Sequence, residues 1–515
     1  MTLTWKTEAY ERCLTPVMHA IRGLRSPAHP TLSRSRRPNA RYAHSPSTVD
    51  TGFILSLPPL PNPATSDPAY QRVLTWYIPE PFLKQVLPQL EAFGKEAVSP
   101  QINELISDTE RQQPYIKDRN VWGGKVNRLV TSTGWKELAK EEGPNGIHFH
   151  RLKNKMGTKE LPTAELELRD VRAWRVGPAD RGIATIATLL NVTRTHNFIT
   201  ALSCWRRGMA IAKNFARVRT TIDQPLWTFP MHLRLLASME TKFHGLLQLA
   251  FFTSSLLSFA DHGLPPHSPS YAPLPEPGKQ MKVIQRTLTA AGKAVICKVA
   301  CVSLQECQEA MGGVGYMDEP DEPEHNISRL YRDTAANMTW EGTTNVLASE
   351  VVRHLLKDDH LQIFSTWIED AVLAKVRDED LRRALESSWG ILKLRLSDDH
   401  GDLGAALADG RQLMFSLAWV VSGALLAHDA QRDGNTAACE VARRWILRGE
   451  GGVGEYAFPD VLRAGAIGDR QSNRERLNWD CRIVWGVDLP ADAATGYRSS
   501  PSASSGRPEQ VVARL

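Results

Sequence analysis

The stretch from Met311 to Leu356 reads MGGVGYMDEPDEPEHNISRLYRDTAANMTWEGTTNVLASEVVRHLL and holds three features in a fixed order. A Gly-Gly-Val-Gly turn comes first, at 312–315, directly after an apolar helical pattern. Arg-Leu-Tyr-Arg-Asp follows at 329–333, and Trp-Glu-Gly-Thr-Thr-Asn comes last at 340–345. A helical pattern resumes immediately afterwards. The stretch therefore predicts a helix that ends near the glycines and another that begins just after the last motif.

Glu341 is the residue of this stretch with the clearest chemical potential. A carboxylate just ahead of a helix start, flanked by Trp340 and Gly342, can be shielded from water and aimed at a substrate, which is how a general base is usually made. Each feature also has a structural interpretation. The glycines can serve as a helix C-cap, and Thr343 as the N-cap of the next helix. Each piece alone is weak evidence, since short motifs match by chance.

The ordered combination resembles the C-terminal signature of the acyl-CoA dehydrogenases, and Trp-Glu-Gly-Thr-Thr-Asn resembles the branch of that family that contains the bacterial alkylation-response protein AidB. The resemblance implies FAD-dependent α,β-desaturation of an acyl-CoA thioester, with Glu341 as the general base and the flavin as hydride acceptor. It also implies a set of FAD contacts: Thr339, Trp340, Gly342, Thr343, Asn345, Gly312, Gly313 and, toward the diphosphate of a neighbouring subunit, Arg219. The Arg-Asp pairs within 329–333 match family positions and are interpreted as structural.

The resemblance breaks at Gly146. The strands predicted at 147–152 and 164–168 match the second half of the family's β-domain. The first half, with the Thr-Glu-x-x-Gly-Ser and Trp-x-Ser/Thr segments that hold the flavin ring in the family, has no counterpart. Isolated strands have little stability unless they lie against helices, so residues 147–178 are predicted to form a small remnant sheet packed on the helical core. The gap removes a wall of the flavin pocket, and the chain as written is expected to bind FAD weakly or not at all.

Apolar residues recur at spacings of three and four in further segments, which is typical of helices with one buried face. The stripes within 198–212, 236–250 and 284–299, together with the helix after Thr343, predict an antiparallel bundle. The predicted fold is mainly α, an acyl-CoA dehydrogenase-like helical bundle with a truncated β-domain and an extra C-terminal helical domain. The predicted parts are a disordered basic extension and Pro-rich linker (1–65), an N-terminal helical region (66–146), the remnant β-domain (147–178), the bundle (179–359), the additional helical domain (360–490) and a disordered tail (491–515).

Composition is that of a globular protein, with 42% apolar and 23% charged residues in a chain of 515. The net charge of +5 is mild, and acidic residues outnumber basic ones across 360–490, so charge does not support a DNA-associated role. Arg443, Arg444 and Arg448 are interpreted as solvated helix faces. His400 and His428 are interpreted as surface residues.

The seven cysteines lack metal-ligand spacing, so no metal is predicted, and Cys297 and Cys301 are predicted as core thiols. No run reaches membrane-spanning length without polar interruption, and no membrane span is predicted. The two most apolar runs, 246–260 and 414–427, are predicted as buried helices.

Localisation stays open between two compartments. Residues 12–49 contain seven arginines and no lysine or acidic residue, which suits a mitochondrial presequence. The C-terminal Ala513-Arg514-Leu515 resembles a peroxisomal address, which we favour slightly.

Function stays open as well. The first alternative is an acyl-CoA dehydrogenase-like flavoprotein, by family a tetramer, that passes electrons to an electron-transfer partner or to oxygen. The second is a catalytically inactive AidB-like helical protein with a role in oligomerisation or in association with DNA. The third is a gene model that lacks an exon, so that the active protein is longer.

Overall fold

The computed structural model describes residues 62–112, 114–119, 125–130, 146–222, 224–263, 273–398, 402–451, 456–465 and 471–490. The predictions for 1–61 and for 491–515, including both targeting signals, lie outside the described residues, as does the prediction for His400.

The N-terminal part combines short helices with two β-hairpins. Its helices are α1 Pro63–Ser66, α2 Pro68–Tyr77, α3 Glu80–Ala97 and α4 Pro100–Arg111, and its strands are β1 Tyr115–Arg119, β2 Lys125–Val130, β3 Ile147–Leu152 and β4 Ala164–Leu168. β1 pairs antiparallel with β2, and β3 pairs antiparallel with β4.

The bundle and the C-terminal helices follow. The bundle consists of α5 Gly182–Val218, the two-residue strands β5 Thr220–Thr221 and β6 Gln224–Pro225, α6 Pro230–His262, α7 Lys279–Glu309, α8 Gly313–Tyr316, α9 Ile327–Asn337 and α10 Thr344–Leu355. The C-terminal part consists of α11 His360–Thr366, a π-helical turn Trp367–Val372, α12 Glu379–Asp398, α13 Leu403–Ala408, α14 Gly410–Asp433, α15 Thr436–Leu447, α16 Pro459–Arg463 and α17 Asn473–Trp485.

The predicted apolar stripes form the core, and the mainly α fold class is confirmed. α7 lies at the centre and packs against α5, α6, α9, α10 and α14. Every residue of the three stripes is buried: Phe198, Leu202, Trp205, Met209 and Ala212 on α5, Leu236, Met239, Phe243, Leu246 and Ala250 on α6, and Ile284, Leu288, Ala291, Val295 and Val299 on α7. Cys297 and Cys301 are buried beside them. Removal of this apolar surface from water is the main stabilising contribution to such a bundle.

The β-structure matches the sequence prediction in one place and differs in another. β3 and β4 have the predicted bounds, and no residue of either strand is fully buried. Residues 115–119 and 125–130, which belong to the region predicted to be helical, form the antiparallel pair β1 and β2 instead. Pro114 lacks the amide proton that a continued helix requires, which gives the physical reason for the change. β3 lies beside this hairpin without joining its sheet.

The C-terminal helices pack directly onto the bundle. α14 contacts α6, α7 and α10, and α17 contacts α6. Two predictions about their polar residues are wrong. Arg444 is 1% exposed, because it binds the buried carboxylates of Glu440 and Asp480. His428 is also buried, and its Nε2 lies 2.9 Å from the carbonyl oxygen of Val372.

Three helices are long and apolar enough to cross a membrane by length and composition. They contain Pro230–Ala260, Lys279–Glu309 and Gly410–Asp433, and 56%, 89% and 100% of their most apolar windows are buried inside the fold. The runs 246–260 and 414–427 lie within two of these helices, and most of their apolar residues are buried in the core.

Candidate functional site

Glu341 lies in a tight turn between α9 and α10. The amides of Thr339 and Trp340 both donate to the carbonyl of Ala336, at 2.9 and 3.0 Å, and so close the end of α9. Glu341 then has a φ of +56° and Gly342 a φ of +110°. The left-handed backbone costs a residue with a side chain about 1–2 kcal/mol. Such conformations persist only where the surroundings hold them, and they cluster at functional sites.

Two basic side chains from other helices hold this turn through its backbone carbonyls. Lys293, on α7, donates from Nζ to the carbonyl of Gly342 at 2.6 Å and to that of Met338 at 3.3 Å. Arg194, on α5, donates from Nε to the carbonyl of Glu341 at 3.3 Å. Lys293 is 0% exposed. The turn is therefore anchored to both of the long helices that flank it.

The carboxylate of Glu341 is left unengaged by these contacts. Within the described part of the chain it makes no hydrogen bond and no ion pair, and the side chain is half-buried. Trp340 beside it is 42% exposed. A half-buried carboxylate with no partner can accept a proton from a bound molecule.

The start of α10 has two exposed polar residues on either side of the buried Thr344. Thr343 occupies the N-cap position, as its structural interpretation predicts, but its side chain makes no capping hydrogen bond. Thr343 and Asn345 are exposed. The start of this helix therefore presents unsatisfied amides that suit an anionic group.

Gly312 and Gly313 lie far from Glu341. About 24 Å of helix separates Lys293 from Glu309 at the end of α7, and both glycines follow that end. Gly312 has a φ of +65° and donates its amide to the carbonyl of Glu309 at 2.8 Å, which matches the C-cap interpretation.

Arg219 is also remote within one chain. It caps the C-terminus of α5, where its amide donates to the carbonyl of Phe215 at 2.9 Å. It follows Arg194 by about 25 residues, which is about 37 Å along the helix. The two residues therefore cannot serve one small site in the same chain. Asp223, which comes shortly after Arg219 in the sequence, lies outside the described residues.

The residues from 329 to 333 pack against the loop between β3 and β4. We call β3, β4 and this loop the β-part, and these contacts attach it to the bundle. The backbone amide of Thr158 donates to Oδ1 of Asp333, and Nη2 of Arg329 lies 3.6 Å from Oε2 of Glu160. Gly157 packs so closely that a Cβ there would lie 2.4 Å from the carbonyl carbon and oxygen of Arg332. This cluster is structural, as the sequence suggested.

Several apolar side chains between β4 and the start of α5 are exposed. Beyond β4 the side chains of Trp174 and Val176 are 97% and 79% exposed, and Ile183 at the start of α5 is 87% exposed. A ring stacked against the Glu341 turn would need a second wall of this apolar kind to exclude water. Trp174, Val176 and Ile183 are too exposed to supply it within one chain, so these side chains do not enclose an isoalloxazine ring.

A cavity of about 590 Å³ lies elsewhere, between α4, α5 and the loop 321–325. It is lined mainly by polar residues, among them Ser107, Arg111, Arg207 and His325. Arg207 is about 13 residues beyond Arg194 on α5, or about 20 Å. This cavity therefore does not contain Glu341.

Sequence reasoning missed Lys293 and Arg194. The lysine in the middle of the apolar stripe of α7 indicates a buried polar contact, because lysine is almost never fully buried without a polar partner. Among the described residues, no group of three or more His, Cys, Asp or Glu side chains is arranged to hold a metal ion.

Comparison with known proteins finds similarity to acyl-CoA dehydrogenases over part of the chain. Residues 180–356 match the family described as acyl-CoA dehydrogenase, C-terminal domain. Acyl-CoA dehydrogenase family member 11 of Caenorhabditis elegans is 34% identical over 315 residues, which is 58% of this chain and 48% of that protein. The putative acyl-CoA dehydrogenase AidB of Escherichia coli K12 is 28% identical over 241 residues, or 47% of this chain and 40% of that protein. The matches thus cover about half the length of these relatives, or less.

Solved structures share the fold. The crystal structure of Caenorhabditis elegans ACDH-11 in complex with C11-CoA has a TM-score of 0.69 at 22% identity, and the match covers 88% of this chain and 99% of that one. An acyl-CoA dehydrogenase from Bacillus anthracis complexed with FAD has a TM-score of 0.50 at 18% identity, with 67% and 64% covered. At these identities the likeness is one of fold alone.

Proposed function

We propose that this chain, whose residues 180–356 match the acyl-CoA dehydrogenase C-terminal domain, binds an acyl-CoA thioester and acts on it through Glu341. The observation that carries the proposal is the placement of Glu341. Its carboxylate is half-buried and unengaged, while its backbone is held from two sides. A base needs this combination of a free functional group and a fixed position.

Glu341 would act as the general base that removes the α-proton of the thioester. In this lineage the chemistry is α,β-desaturation, in which bound FAD takes the β-hydrogen as hydride and an electron-transfer partner or oxygen reoxidises it. Because the apolar side chains of Trp174, Val176 and Ile183 are exposed and do not enclose a flavin within one chain, we propose that this chain retains FAD weakly and turns over slowly. Binding of the thioester and proton removal depend on its own residues.

Arg219 supports a proposal of self-association. It lies about 37 Å along α5 from the residue that contacts the Glu341 turn, so it can reach that site only from a second copy. The resemblance implies a homo-oligomer in which Arg219 of one chain contributes to the site of a neighbouring chain. Light scattering coupled to size exclusion would measure the stoichiometry, and a monomer at working concentration would contradict it.

The decisive experiment measures flavin and thioester separately. The purified chain is incubated with FAD, desalted and examined by visible absorption, and C11-CoA is titrated into it by calorimetry. We expect little or no flavin band together with saturable C11-CoA binding. A stoichiometric flavin band would overturn the weak-FAD proposal, and absence of C11-CoA binding would overturn the thioester proposal.

Substitution of the base then tests its role. Glu341→Gln should keep C11-CoA binding, but should lose any desaturation measured in the presence of excess FAD, by about 10²-fold or more. Glu309→Gln, at the far end of α7, is a matched control that should change neither quantity. Equal turnover of Glu341→Gln and the parent chain would remove Glu341 as the base.

A further inference from the structure

Lys293 is buried in the apolar core of α7, where a lysine is costly. Its side chain is 0% exposed, and its neighbours Ala291, Ala294 and Val295 are buried with it. Transfer of an amino group from water into such surroundings is unfavourable unless its hydrogen bonds are replaced. No carboxylate lies within 4.0 Å of Nζ among the described residues, so an ion pair does not explain its presence there.

The amino group is instead directed at the Glu341 turn. Nζ donates to the carbonyl of Met338, which caps the C-terminus of α9, and to the carbonyl of Gly342, which immediately follows Glu341. The C-terminal end of a helix carries a partial negative charge that favours a cation. Burial lowers the pKa of Lys293, Arg194 adds to that shift, and Cys297 and, to a smaller extent, Glu341 oppose it. The two contacts bracket Glu341 in the chain.

We propose that Lys293 is the positioning residue for Glu341. By holding the carbonyls on both sides it fixes the turn in which Glu341 takes its left-handed backbone. This role rests on the proposed function only in naming Glu341 as the base. The conformational part concerns the chain alone and can be measured without any ligand.

The position of the strain supports this assignment. In this turn Glu341 has a side chain and a positive φ, which is the strained combination. Glu341 also lies in sequence between Met338 and Gly342, whose carbonyls Lys293 binds. Without the amino group, the chain from Met338 to Gly342 has Arg194 as its remaining side-chain anchor among the described residues. The turn could then relax toward the right-handed region that residues other than glycine prefer.

Lys293→Met separates positioning from general stability. Methionine has a similar length and no charge, and a hydrophobic replacement of a buried ionic group is often neutral or stabilising. We expect the full-length variant to keep or raise its melting temperature. Amides of the 338–343 segment should exchange with deuterium at least about tenfold faster, since local opening reports the loss of local hydrogen bonds. Lys282→Met, on an exposed position of the same helix, should leave both quantities unchanged.

The outcomes are distinguishable. Parent-like exchange of the 338–343 amides in a folded Lys293→Met chain would overturn the proposal. A uniform rise in exchange across the bundle with a lower melting temperature would also overturn it, because Lys293 would then be a general core residue. Where desaturation is measurable with excess FAD, the variant should lower kcat and leave KM unchanged. Absence of all C11-CoA binding by the parent chain would remove the proposed function, while the exchange experiment would still decide whether Lys293 holds the turn.

Discussion

Arg194 and Glu341 are 147 positions apart in the chain, and the Nε of Arg194 donates to the carbonyl oxygen of Glu341 at 3.3 Å. The Nη2 of the same guanidinium donates to Oε2 of Glu350 at 2.8 Å. The side chain of Arg194 is 6% exposed. One buried guanidinium therefore joins α5 both to the turn and to the helix that the turn starts.

Arg194→Met should destabilise the fold and loosen this junction. Removal of one member of a fully buried pair costs about 3–5 kcal/mol, and because the side chain of Glu350 is 22% exposed we expect about 2–3 kcal/mol here. Urea unfolding of the full chain measures the difference. Arg286→Met is the control, since Arg286 also contacts Glu350 but is 54% exposed, and it should cost at most about 1 kcal/mol. Equal losses for the two variants would contradict the special role of Arg194.

Two adjacent arginines on α15 provide the sharpest test of the C-terminal packing. Arg444 is 1% exposed and binds Asp480 of α17 at 2.6 Å and Glu440 at 3.0 Å, whereas Arg443 is 42% exposed and lies 3.8 Å from Asp378. Arg444→Met should lower the free energy of unfolding by about 2–3 kcal/mol, because two buried carboxylates each lose one of their two arginine partners. Arg443→Met should lower it by at most about 1 kcal/mol. Urea denaturation compares them, and similar midpoints for the two variants would refute the assignment.

The same pair shows what sequence can and cannot predict in this protein. Periodicity reports which face of a helix is apolar, so the stripes of α5, α6 and α7 were predicted residue by residue. It does not report where a charged side chain finds a distant partner. Asp480 is 36 positions from Arg444, and only the tertiary packing brings them together. The same limitation explains why His428 was interpreted as a surface residue.

The β1–β2 hairpin was missed for a different reason. The helical period stops near Arg111, and Pro114 and a Gly-Gly pair at 123–124 then bound two short runs, which is the pattern of a hairpin. The helical periodicity of the preceding segments favours a continued helix over this hairpin pattern. Within the candidate site, Glu341 is predictable from its sequence motif. Lys293 is recognised only in the structure, because its contacts run from one helix to the end of another.

Gly157→Ala should detach the β-part from the bundle. An added Cβ would lie 2.4 Å from the carbonyl carbon and oxygen of Arg332, and both are backbone atoms that cannot move aside. We expect a loss of about 1–3 kcal/mol and faster proteolysis of the loop between β3 and β4. Gly182→Ala, where an added Cβ meets nothing within 4 Å, is the control. A Gly157→Ala chain whose loop resists protease like the parent would contradict this docking.

His354 gives the fold a defined sensitivity to acid. It is 9% exposed on α10, and its Nε2 lies 3.3 Å from the carbonyl of Val283. Burial, together with Arg286 and His360, lowers the pKa of His354 from its ordinary value of 6.5 to about 4. The neutral ring is therefore favoured in the folded state. Between about pH 6.5 and pH 4 the unfolded chain binds the additional proton, so the stability contributed by His354 is complete above this range and is lost as the pH falls through it.

Replacement of His354 by Gln should therefore flatten the pH dependence of the free energy of unfolding between pH 6.5 and 4. Urea denaturation at a series of pH values measures the slope, and the comparison with the parent chain cancels the carboxylates that both share. His428, whose pKa burial also lowers, should supply part of the slope that remains. The slope of the parent chain is the reference for this comparison. If His354→Gln also keeps that slope, the folded protein does not hold this ring neutral, and acid sensitivity must arise elsewhere in the bundle.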